Sequence, residues 1–109
     1  MSILIFMFLF SGILLVVLAI PLILGKIPPN GLYGFRVKKT MENPEIWYPV
    51  NAYAGKWLLA IGIGVAATAA GLSYIPGISL DIYAYAELAV WIVMFSVAMI
   101  ASIRKMNSL

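Results

Sequence analysis

Few residues in this chain could do chemistry. Its 109 residues include four acids (Glu42, Glu45, Asp81 and Glu87), seven lysines and arginines, and neither histidine nor cysteine. Without histidine, the commonest general base, the usual pH switch and the commonest metal ligand are missing together. A Ser-His-Asp or Cys-His constellation cannot be assembled from one such chain. Without cysteine there are no disulfides or thiolate metal sites, and the redox compartment cannot be read. Glu42 and Glu45 are the one pair of neighbouring carboxylates that could do acid–base work on a lipid, and no partner base accompanies them. The expectation is a protein that is not an enzyme, holds no metal or cofactor, and works by binding.

The elements that position these residues are membrane spans. Only 10% of the chain is charged, 64% is hydrophobic, and the mean hydropathy is +1.06. A soluble domain carries about 25% charged residues, so lipid is the expected solvent. The first apolar run, Ile3 to Leu24, meets no charge until Lys26 and exceeds the roughly 20 residues that cross a bilayer core. No basic n-region precedes it, so it is read as a retained helix and not a cleaved leader. Pro21 near its end is tolerable there.

The second run, Trp57 to Ile75, is rich in small residues. Gly62 with Ala66, and Ala67 with Gly71, have the four-residue spacing that lets helices approach closely in lipid. Packing within the chain is the first reading of that pattern, and a homo-oligomer seam the second. The third run, Ile82 to Ile103, ends at Arg104 and Lys105. Pro76-Gly77 marks a turn before it, and Ser79 or Asp81 can cap its helix. The short link makes the second and third helices antiparallel neighbours. The fold class is therefore an all-α membrane protein, one unit over 1–109. Its three transmembrane helices lie at about 3–25, 56–75 and 82–103, with an ordered cytoplasmic loop at 26–55 between the first and second.

Charge sets the expected direction. Lys26, Arg36, Lys38, Lys39 and Lys56 lie between the first two spans and Arg104 and Lys105 follow the third, so all seven basic residues share one side. By the positive-inside rule the amino terminus is outside and the loop and carboxyl terminus are cytoplasmic, in the cell membrane. The net charge of +3 is thus assigned to the bilayer as partner, and not to nucleic acid.

The loop is no flexible linker, since it holds Tyr33, Phe35, Trp47, Tyr48 and Tyr53. Pro28-Pro29-Asn30-Gly31 reads as a turn. Asn43-Pro44-Glu45 reads as a helix start, with Asn43 as cap, Pro44 in the first turn and Glu45 at the positive end of the dipole. Pro49 should kink that helix or split it from the span. On a helix Trp47, Asn51 and Ala54 share a stripe. The first reading of the stripe is an interfacial anchor, with the basic residues toward anionic lipid. A ligand site is the second.

Gly34-Phe35-Arg36, then Thr40 to Trp47 (TMENPEIW), then Asn51, then Gly55-Lys56 resemble the SdpI family of bacterial and archaeal membrane proteins. Val37 stands where that family usually has threonine, and Ala52-Tyr53 follows Asn51 where an arginine is common. The chain resembles the carboxy-terminal three-helix part of longer immunity proteins. The family's founding member protects against a secreted peptide toxin. The resemblance implies a peptide toxin or regulatory protein as partner, in immunity or signalling, and marks Arg36, Asn43, Trp47, Asn51 and Lys56. Arg36 would offer five fixed donors, Asn43 and Asn51 would cap or cross-link, and Lys56 would snorkel at the membrane edge. Ordering the loop is the alternative role for all five. A fold class alone does not settle function, so a small oligomeric transporter or channel with Glu87 on its path stands as the second reading.

Glu87 is the one acid inside a span, about 9 Å along a helix from Asp81. Intramembrane acids mark functional sites by default. The first reading here is a shallow, structural residue beside Tyr83 and Tyr85. With no base on that side, it would be hydrated, protonated, or bonded to a tyrosine hydroxyl.

Overall fold

A computed structural model describes residues 2–109, and every regular element among them is helical. Helix α1 covers Ser2–Ile23, the short α2 Lys38–Glu42, α3 Pro44–Leu72 and α4 Leu80–Asn107. The protein is all-α, and α1, α3 and α4 are each long and apolar enough to cross a membrane. Helix α3 is central. It packs along α1 on one side and α4 on the other, while α1 and α4 barely meet. The bundle measures 51 × 22 × 18 Å. One end carries the 24–43 connection and the carboxyl terminus and is called the loop end. The other carries the 73–79 link and is called the turn end.

The packing suits a lipid solvent. The large apolar residues of α1, including Ile3, Phe6, Phe10, Ile13, Val17 and Ile20, are exposed. Small residues meet inside. A Cβ on Gly12 would stand 2.7 Å from the Gly62 carbonyl oxygen, and one on Gly62 would stand 2.6 Å from that of Gly12. The backbones of α1 and α3 therefore touch at this crossing, where close approach replaces the hydrophobic drive that lipid does not supply. Ala66 lines the same crossing, so the Gly62–Ala66 pair packs within the chain. Ala67 and Gly71 are exposed.

The helix ends differ in part from the sequence-based expectation. Asn43 occupies the cap position of α3, and its carbonyl accepts the Ile46 and Trp47 N–H groups, both at 2.9 Å. Its side chain, however, turns back and donates to the Lys39 carbonyl at 2.8 Å, closing α2 instead. Pro49 does not split the helix, for α3 runs unbroken to Leu72. Pro49 lies close to the helix start, and Glu45, whose carbonyl loses its partner there, is exposed. Water can satisfy that carbonyl, so the usual penalty of an interior proline is reduced. At the turn end, the Ser79 hydroxyl caps α4 by accepting the Ile82 N–H at 3.1 Å.

Candidate functional site

At the loop end the chain folds back over the bundle, and polar side chains of α2 and α3 hold it there. The first turns of α3 place Trp47 and Asn51 one turn apart on the same face, and both are buried. The Trp47 indole N–H donates to the Ile27 carbonyl at 2.7 Å. The Asn51 carboxamide accepts the Phe35 N–H at 2.6 Å and donates to the Trp47 carbonyl at 3.0 Å. Both groups thus satisfy half-buried backbone atoms of an irregular segment, which would otherwise be costly to cover.

Thr40, on α2, completes the fold of the loop. Its hydroxyl donates to the Phe35 carbonyl at 2.7 Å and accepts the Val37 N–H at 3.0 Å. Gly34 passes directly over the α3 face with φ +120°, and a Cβ there would stand 2.8 Å from Asn51 Oδ1 and 3.0 Å from the Trp47 ring. Both the backbone angle and the space require glycine at this position. Two cations tie this end to the end of α4. Lys39 Nζ donates to the Met106 carbonyl at 3.3 Å, and Lys105 Nζ lies 5.9 Å from the Tyr53 ring centroid.

The marked residues do not form one cluster. Trp47 and Asn51 meet, and Asn43 supports them from the α2–α3 junction. Arg36 is exposed, and its guanidinium donates to the Gly31 carbonyl at 2.7 Å, not to Glu42, Glu45 or a helix end. Lys56 is exposed on α3. Thr40, Gly34 and the Ile27 carbonyl carry as much of the loop's order as Trp47 and Asn51. Gly34 and Thr40 belong to the same motif stretches in the sequence, but nothing about the backbone acceptor at Ile27 was visible there.

Beneath the loop lies a cleft of about 290 Å³. Tyr33, Gly34 and Phe35 roof it, α1 and α4 form its sides through Leu22 and Phe95, and α3 forms its floor through Leu58. It exists because α1 and α4 flank α3 without closing on each other. Its walls are almost wholly apolar, with the buried Ser102 hydroxyl among them. Such a site can hold an apolar chain or helix face and has no nucleophile–base pair in its walls.

At the turn end, Glu87 is fully buried, and neither carboxyl oxygen has a hydrogen-bond partner. Hydration, one of the three states left open for it, is not what the fold provides. Tyr83 does not serve it either, because its hydroxyl donates to the Ala69 carbonyl at 2.8 Å. Tyr85 is 71% exposed.

Comparison with protein-family models matches residues 26–104 to the SdpI/YfhL protein family. Neither the curated proteins nor the solved structures yield a match to the chain. The family match begins at Lys26, where the loop begins, and takes in the Gly34–Thr40 fold, Trp47, Asn51 and nearly all of α4. With most of the chain covered, including Gly34, Thr40, Trp47 and Asn51 of the loop end, the chain belongs to the SdpI/YfhL protein family.

Proposed function

We propose that this protein binds a peptide toxin or a protein partner in the membrane, in immunity or signalling of the SdpI kind, by seating an apolar segment in the cleft beneath Tyr33–Phe35. The cleft carries the reading. It lies under the region that bears the family motif and is roofed by a loop that the Trp47, Asn51 and Thr40 bonds hold in one shape. A pre-shaped apolar groove recognises an apolar segment at low ordering cost. In this reading the loop faces the cytoplasm of the cell, as the distribution of lysine and arginine implies.

The experiment fills the cleft. Ala54 and Ala98 line it, so Ala54→Leu and Ala98→Phe occupy its volume and leave Trp47 and Asn51 unaltered in the sequence. Expected is loss of toxin protection, or of partner capture, with a melting temperature near that of the wild type. Filled variants that still protect fully would remove the cleft from the binding function. The transporter reading rests on Glu87 alone. It requires that Glu87→Gln abolish ion or drug flux that the wild type shows in vesicles.

A further inference from the structure

Glu87 sits among groups that can accept a hydrogen bond but have none left to give. Thr68 of α3 lies beside its carboxyl group, yet the Thr68 hydroxyl donates to the Gly64 carbonyl at 2.8 Å. One turn back on α4, the Tyr83 hydroxyl donates to Ala69. On α1, the Phe8 ring packs edge-on to the Tyr83 ring at 6.2 Å between centroids, and the Ser11 hydroxyl is spent on the Phe8 carbonyl at 2.9 Å. A carboxylate needs donors, whereas a carboxylic acid is itself a donor and needs an acceptor.

Among the described residues no lysine or arginine can take the proton's place. All seven lysines and arginines lie at Lys26–Lys56 or at Arg104 and Lys105, and Arg104 is about 25 Å along α4 from Glu87 at 1.5 Å per residue. The helices packed around Glu87 carry no other ionisable side chain facing it than Tyr83. Asp81, nearest along the chain, is exposed. Among the described residues no group of three or more ligand side chains could hold a metal ion. An ionised carboxylate without partners is strongly disfavoured in a membrane interior.

We propose that Glu87 is a proton-binding site inside the bundle, its buried and unpartnered carboxyl group kept as the neutral acid. Loss of the proton would leave a bare charge between α1, α3 and α4. The turn end must then open to admit water, while the bonded loop end stays closed. The packing of this end thereby answers to proton availability, independently of what the cleft binds.

The test uses the full chain in lipid vesicles. Infrared spectra of protein carrying carbon-13 glutamate report the carbonyl stretch of a protonated acid, and a hydrophobic carbodiimide reports it chemically. The acid O–H adds across the reagent's C=N bond, so the adduct keeps every atom of both and is located by fragment mass. Expected at neutral pH is a protonated-acid band from glutamate, an adduct at Glu87, and loss of both in Glu87→Gln. Sodium added at constant pH should change neither. The absence of a protonated glutamate band in the wild type at neutral pH would overturn the proposal without recourse to any variant. Abolition of band and adduct by sodium would assign the site to a metal cation and overturn it equally. Neither readout depends on a toxin or partner.

Discussion

The Asn51 carboxamide holds two backbone groups at once, the Phe35 N–H and the Trp47 carbonyl. Asn51→Leu keeps much of the volume and removes both bonds, leaving the half-buried Phe35 N–H unsatisfied. The expected cost is about 1–3 kcal/mol, read as a lower melting temperature in detergent. Gly34→Ala should cost a similar amount, on the order of 1–3 kcal/mol, through its positive φ and its approach to Asn51 Oδ1. Arg36→Ala should behave differently. Its one bond is to an exposed carbonyl, so stability should change by less than about 1 kcal/mol. A loss of toxin protection by Arg36→Ala at unchanged stability would then report a contact with the partner. A large drop in melting temperature would show instead that Arg36 supports the loop.

At the scale of helices, the α1–α3 crossing is the most demanding contact. Gly12→Leu places a side chain where the Gly62 carbonyl already stands, so the two helices must separate. Expected is a marked loss of thermal stability. Ala67→Leu, on an exposed face of α3, should leave thermal stability unchanged. A shift in its oligomeric state on gel filtration would identify that face as a contact between copies. Pro49→Ala should be neutral or stabilising, because it restores a backbone bond within a helix that is already continuous at this position. A fall in melting temperature would show that Pro49 sets the direction of the first turns.

For the whole molecule, the three long helices place the two termini at opposite ends of the bundle. Reporter fusions should therefore find the termini in different compartments, the amino terminus outside and the carboxyl terminus inside. Both reporters in one compartment would contradict the three crossings. The two ends of the bundle also differ in kind. The loop end is cross-linked by Trp47, Asn51, Thr40 and Lys39, whereas Tyr83 to Ala69 is a single side-chain bond between α3 and α4 near the turn end. Hydrogen exchange should accordingly be slower for the Phe35 amide than for an exposed loop amide such as that of Gly31. Equal exchange at the two positions would mean that the loop is not held down.

What the sequence by itself determined is what depends on one stretch of chain at a time. The length of an uncharged run against the thickness of a bilayer sufficed for three spans. Turn chemistry marked Asn43-Pro44 and Ser79 as helix starts, and the motif around Gly34, Trp47 and Asn51 indicated the family. The tertiary structure alone decided which surfaces meet. In spans that are apolar on every side there is little contrast between faces, so no pattern showed that Gly12 would meet Gly62. The same holds for Glu87, whose neighbours Thr68 and Phe8 come from other helices, and whose enclosure is therefore not a property of its own span. Nor could the chain order show that Asn43 would bond back to Lys39, that Arg36 would point outward, or that the Trp47 indole would reach Ile27. Those outcomes rest on backbone groups brought together by folding, and a backbone carbonyl looks alike at every position in the sequence.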